Sequence, residues 1–279
     1  MELSRVKKAF REAVIEAFKL EKPGPKGGDV IAYGLGAEAP AFLLYLGMLH
    51  AGKSAELLPA SMAAYHLVPY RDPGGSLIVF AYNQRDPRVI HALEAASLLG
   101  FETHLIAPKL HEAYEEKVST LNVNRVIVGG PGPLLSMSLL SLLMTPRLGG
   151  FREERVRREI EEAESAFDWV LENFNQEIGR MPSRPEHVMS TPSTLPGAFY
   201  HCRNTTCTSV MLLDSALESP ASVLQNSVAY MASVEERGYR DVVSRLKSLG
   251  TTIVTLNTDP LTSSFYVITV SIIAAGKLL

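Results

Sequence analysis

The stretch Ser76-Leu-Ile-Val-Phe-Ala-Tyr-Asn-Gln-Arg-Asp-Pro-Arg-Val-Ile-His-Ala-Leu-Glu-Ala-Ala-Ser-Leu-Leu-Gly-Phe-Glu-Thr-His-Leu-Ile-Ala107 contains a complete strand, turn, helix and strand unit. The apolar run at 76–81 is short and reads as a buried strand. The polar turn at 82–87 follows it, then helical spacing over 88–99 that stops at Gly100, then a second strand at 103–107. Pro87 suits a first helical position, where its missing N–H costs nothing, and Asp86 in front of it is placed to cap the helix.

Working outward, residues 22–28 form a Pro/Gly-rich break, and 29–33 read as another buried strand ending in Gly34-Leu-Gly36. Residues 37–50 are apolar almost all round, as in a helix covered on both sides. With 123–128 as a fourth strand, crossover helices between strands predict a doubly wound parallel sheet. The pattern then turns helical from 131 to about 179, and the charge run beginning at Phe151 reads as a solvated face with salt-bridge spacing that links and braces two halves. After a break at 180–185, strand-like segments recur at 186–190, 208–213, 227–231 and 251–256, with helices at 234–249 and 261–279. The expected fold class is therefore α/β with two parallel-sheet domains. Residues 1–150 hold an amphipathic N-terminal helix and the first sheet, and 151–279 hold the bridging helix and a smaller second sheet.

Composition narrows the function classes. A net charge of −3 gives no strong field to hold a polyanion, which argues against a nucleic-acid partner. The longest apolar runs, 133–144 and 265–275, fall short of the ~20 residues of a membrane span. Cys202 and Cys207 are expected to be two ordinary thiols, consistent with a reducing, cytoplasmic setting. Cys-x4-Cys without a second ligand pair is a weak metal pattern, so neither a metal nor a cofactor is expected.

The unit at 76–107 is similar to the core of sugar-isomerase (SIS) domains, in which a strand runs into Ser-x-Ser-Gly-x-Thr and a helix follows. Residues 29–46 resemble that family's earlier strand and glycine turn. Residues 242–279, Leu-Lys-Ser-Leu-Gly-Thr-Thr-Ile-Val-Thr-Leu and an apolar C-terminal helix, look like the tail of the archaeal two-domain bifunctional phosphoglucose/phosphomannose isomerases. That resemblance implies flavodoxin-like SIS domains, a sugar phosphate ligand of the glucose- or mannose-6-phosphate type, and a homodimer. It also implies phosphosugar contacts from Gly34, Gly36 and Glu38 in the first turn and from Tyr82, Asn83, Gln84, Arg85 and Asp86 in the second, at a helix N-terminus that favours an anion.

The departures from the family bear on chemistry. Its hydroxyl positions match Ala81, Asn83 and Asp86, and a phosphate-binding serine is matched by Glu38, so carboxylates stand where phosphate is expected. Arg85 could compensate with a bidentate hold, or could simply be an exposed turn residue. Thr208 occupies the position of the catalytic glutamate, and the ring-opening histidine falls at Val223 or Leu224. The stretch after Pro131, where the family has an arginine, reads Gly132-Pro-Leu-Leu, and Arg147 is the first arginine. Aldose–ketose interconversion needs a base, a ring-opening acid and a cation. Only His201 lies near the lost base, with Glu218 and Asp214 the nearest carboxylates, so His201 and Glu218 are the candidate acid/base pair. Two readings follow. One is a phosphosugar isomerase with altered anchors; the other is an SIS-domain protein without catalysis, acting as a ligand sensor or a dimeric interaction partner.

Overall fold

The computed structural model describes residues 3–279. Tertiary contacts divide the chain into two compact units: Glu12–Gly150, and Phe151–Leu279 together with the segment up to Arg11. The N-terminal helix α1 (Leu3–Lys19) thus contributes residues to each.

The first unit is built on five parallel strands, β1 (Asp29–Tyr33), β2 (Ala55–Pro59), β3 (Ser76–Phe80), β4 (Glu102–Ala107) and β5 (Asn124–Ile127), in the order β2-β1-β3-β4-β5. Leu77, Ile78, Val79 and Phe80 of β3 are all buried, which is why this strand reads as a continuous apolar run. Crossovers are helices α2 (Glu38–His50), α3 (Pro87–Leu98) and α4 (Glu112–Ser119), and α5 (Pro133–Leu143) follows β5. Asp86 caps α3, its carboxylate accepting from the Arg88 amide, with Pro87 at the first helical position. The expected four-stranded sheet is corrected to five: β2, an edge strand, was not anticipated.

The second unit carries the parallel strands β6 (His187–Ser190), β7 (Ser209–Leu212), β8 (Val228–Ala232) and β9 (Thr252–Leu256), ordered β7-β6-β8-β9. Its helices are α6 (Gly150–Glu161), α7 (Ala166–Arg180), α8 (Leu195–Thr205), α9 (Arg240–Ser248) and α10 (Pro260–Ala275). One face of the sheet, with Met189, Ala229 and Met231, packs on Val242, Val243 and Leu246 of α9. The charged helix α6 has i,i+4 pairs, Arg155–Glu159 at 3.0 Å and Arg157–Glu161 at 3.3 Å. Its Arg152 also grips Asp259, the cap of α10, through two 3.0 Å bonds. The helix expected at 234–249 begins instead as a 3-10 turn over Glu236–Tyr239.

Helix α10 is apolar all round and buried from Leu261 to Ile273, so it must be enclosed by other helices. It ends at Ala275, earlier than the sequence pattern indicates, because Gly276 takes a left-handed φ of 62°. Its closest neighbour is α8, admitted by Gly197: a Cβ there would meet Val267 Cβ at 2.5 Å and the Ser264 carbonyl at 2.7 Å. Gly197→Ala should therefore push the two helices apart and cost about 2 kcal/mol, read as a lower urea midpoint. An unchanged midpoint would mean the helices shift freely.

The two cysteines correct another expectation. Cys202 and Cys207 are joined in a disulfide, with Cα atoms 4.7 Å apart. Thr206, at the C-cap of α8, has a left-handed φ of 58°, which folds the chain back so that the Cys207 amide donates to the Cys202 carbonyl at 3.0 Å. That reversal brings the side chains into bridging range. The argument for a reducing compartment from free thiols is lost with it. Among the described residues no helix is long and apolar enough to cross a membrane.

Candidate functional site

In the first sheet the direction of winding reverses between β1 and β3, so the loops after these strands diverge and leave a crevice beyond their carboxyl ends, the usual ligand position in open α/β sheets. The two loops lie side by side: the Gly34 amide donates to the Phe80 carbonyl at 2.9 Å. Gly34 permits the close approach, since a Cβ there would stand 2.7 Å from Val89 Cγ2 and 3.0 Å from the Asp86 carboxylate.

Asp86 is the centre of this crossing. It is buried and accepts from the Leu35 amide at 2.8 Å, the Arg88 amide at 3.1 Å, and Arg88 Nε and Nη2 at 2.7 and 2.9 Å. Burial pushes its carboxyl up, but the Arg88 side chain and the two amides outweigh that and hold it below the usual carboxylate range. Two backbone amides and a guanidinium make a donor set that suits one anion, and the anion present is the protein's own side chain.

A small cleft of about 60 Å³ opens beside this clamp, lined by Tyr33, Gly34, Leu35, Glu38, Pro59, Ala60, Ser61 and Arg88. Glu38, half-buried, accepts from the Gly36 amide at 3.3 Å. The other expected contacts are more dispersed. Tyr82 and Asn83 are half-buried, while Gln84 and Arg85 are exposed. The side chain of Asn83 accepts from the Arg85 amide at 3.0 Å, and the Gln84 carbonyl accepts from the His111 amide at 3.1 Å, so this turn is spent on its own geometry. The structure thus brings Gly34, Glu38 and Asp86 to one place and leaves Gln84 and Arg85 outside the cleft lining.

The second sheet repeats the arrangement. Its reversal lies between β6 and β8, and the loop after β6 carries Thr191, Ser193 and Thr194, all buried. Thr191 and Thr194 form a capping box. Ser193 Oγ donates to Glu235 at 2.5 Å, and the same carboxylate accepts from the Ala232 amide at 3.3 Å. Here too a carboxylate from the loop after one strand occupies donors in its neighbour.

The two candidate acid/base residues stand in different surroundings, one buried and one exposed. His201, on α8, is 1% exposed, with Nδ1 2.8 Å from the Tyr230 hydroxyl and Nε2 without a partner among the described residues. Burial lowers its pKa to about 3, so it is neutral and shut away from any substrate in solution. Glu218 is exposed at the end of the 3-10 turn Leu213–Leu217, and the nearby Asp214 accepts from the Tyr239 hydroxyl at 3.2 Å. Among the described residues no three histidine, cysteine or carboxylate side chains are grouped to hold a metal ion. Sequence reasoning missed Arg88, Ser61 and Glu235. The spacing of Arg88 two residues after a capping aspartate was the available signal for the first, whereas Ser61 and Glu235 depend on loop packing that no local pattern encodes.

The fold of the chain is similar to that of several solved structures, among them two described as putative phosphosugar isomerases. Among solved structures, the chain is similar to glucosamine-6-phosphate deaminase from Thermotoga maritima, with 16% identity, a TM-score of 0.65, and coverage of 98% of this chain and 89% of that one. Tagatose-6-phosphate ketose/aldose isomerase from Escherichia coli matches with 10% identity, a TM-score of 0.62, and coverage of 98% and 88%. The C-terminal domain of glucosamine-fructose-6-phosphate aminotransferase from Francisella tularensis matches with 10% identity, a TM-score of 0.61, and coverage of 98% and 94%. At these identities the likeness is one of fold. No protein-family model matches the chain, and no curated protein does.

Proposed function

We propose that this chain is a phosphosugar-isomerase-like binding protein that takes a sugar phosphate at the β1/β3 cleft and does not isomerise it. The observation that carries this reading is the Asp86 carboxylate, which occupies the amide and guanidinium donors a phosphate would need. Binding then requires the ligand to draw Arg88 away from Asp86, with Gly34 and Glu38 as the contacts on the other side of the cleft. Chemistry is absent because His201 is buried and neutral and Thr208 cannot act as a carboxylate base. The resemblance to the archaeal two-domain isomerases supports glucose-, mannose- or fructose-6-phosphate as the ligand, a homodimer as the working form, and a division into domains near residue 150.

A second reading is favoured by the size of the cleft. At about 60 Å³ it is far below the ~300 Å³ at which small-molecule pockets begin, as expected of a protein whose output is a protein–protein contact. Purified protein assayed with the three hexose phosphates should give no aldose–ketose turnover, and fructose-6-phosphate should raise the melting temperature. Turnover would overturn the non-catalytic assignment. An unchanged melting temperature with all three sugars would leave the interaction reading in its place, and a monomer by light scattering would remove the dimer.

A further inference from the structure

We infer that the second unit carries a separate site for a small phosphorylated anion, in the groove between the loop after β8 and the outer face of α9. The groove has a volume of about 500 Å³, within the range of small-molecule pockets. Arg240, Ser244 and Lys247 line it from α9 with helical i, i+4, i+7 spacing, so they share one face of the helix. Arg237 and Ser233 close it from the loop, and Glu236 is the one carboxylate in the lining. Three cations against one acid make this a positive pocket in a chain whose net charge is −3.

The use of these cations distinguishes the groove from an ordinary solvated helix face. Arg245, on the same helix, is fully employed, donating to the carbonyls of Ala216 at 2.9 Å and Ser219 at 2.6 Å. Arg237, Arg240 and Lys247 have no ion-pair or hydrogen-bond partner of this kind among the described residues, although Glu236 and Asp241 lie close in sequence. Two guanidinium forks and an ammonium, with the Ser244 hydroxyl between them, form a donor set for a dianion. The groove has room for more than the phosphate itself, which points to a phosphate ester or diphosphate.

Calorimetric titration of the full chain with inorganic pyrophosphate at low salt tests the site. Saturable one-to-one binding is expected, weakened about tenfold or more by the double variant Arg240→Ala/Lys247→Ala and by raised salt. Both positions are exposed, and matching melting curves would show that the variant remains folded. The variant Arg88→Ala, at the first-unit cleft, should leave this binding intact. An absence of saturable heat would overturn the inference, as would equal affinity in the parent and the double variant. Loss of binding in Arg88→Ala alone would assign the anion to the first-unit cleft and overturn it equally.

Discussion

The variant Asp86→Ala is expected to unfold about 2 kcal/mol more easily than the parent protein, combining the lost cap of α3 with the loss of the part-buried bond from the Leu35 amide to the carboxylate. The Arg88 contribution is small in that sum, because its side chain is 45% exposed and solvent screens the pair. Asp86→Ser separates stability from binding. A serine still caps the helix while releasing the guanidinium and removing the repelling charge, so fructose-6-phosphate should bind about tenfold more tightly. Urea unfolding reads the first effect and calorimetry the second. If the alanine variant unfolds like the parent, the clamp holds nothing. If the serine variant gains no affinity, Asp86 is not what excludes the anion. Lowering the pH should loosen the same clamp. The folded carboxyl lies below its unfolded value, so its contribution is complete above the ordinary carboxylate range and is lost as pH falls through the depressed value.

A second acid effect should appear at higher pH and come from His201. Burial holds the folded imidazole near a pKa of about 3, whereas the unfolded chain takes up that proton below ~6.5. Stability from this residue is complete above ~6.5 and falls by about 1.4 kcal/mol per pH unit below it, reaching a loss of about 3 kcal/mol by about pH 4.5. Urea unfolding at a series of pH values should show that slope in the parent and a flatter line in His201→Phe. The aromatic replacement keeps most of the buried volume, and leaves the Tyr230 hydroxyl only its weak bond to the Met181 sulfur at 3.8 Å, at a cost of about 1 kcal/mol. A parent whose stability does not change between neutral pH and about 4.5 would contradict the buried neutral histidine. Imidazole resonances that vanish in His201→Phe and titrate near ~6.5 in the folded parent would contradict it as well.

The parts of the fold visible in the sequence are those where local chemistry and tertiary demand agree. Leu77–Phe80 needs burial on both faces, and Asp86-Pro87 with Gly100 marks both ends of α3. The apolar run from Leu261 located α10 as well, although its stop at Gly276 was read past. Strand β2 escapes because Ala55–Pro59 has no β-branched residue, ends in proline and lies at a half-exposed edge, where pairing with β1 alone defines it. Helix α8 starts with Pro196 and Gly197 just inside it, which reads as a turn until α10 is present to pack on it. For the site, the grouping of the turns at Gly34 and Asn83 followed from the family resemblance, but the filling of their donors by Asp86 did not. A capping aspartate has the same sequence signature whether its second oxygen faces water or a neighbouring loop. The disulfide was hidden for a similar reason, since it depends on one left-handed residue, Thr206.

Every strand pairing among the described residues is parallel. No two strands can therefore zip together through a tight hairpin. Each pairing must wait until an intervening segment has been gathered in, so loop-closure entropy is spent before any ladder forms. Helices such as α3, with start and stop written locally, can form early, while β3 finds β1 only through a long-range search. The chain should accordingly refold on the slow side for its size, with the edge at β2 among the last elements to dock.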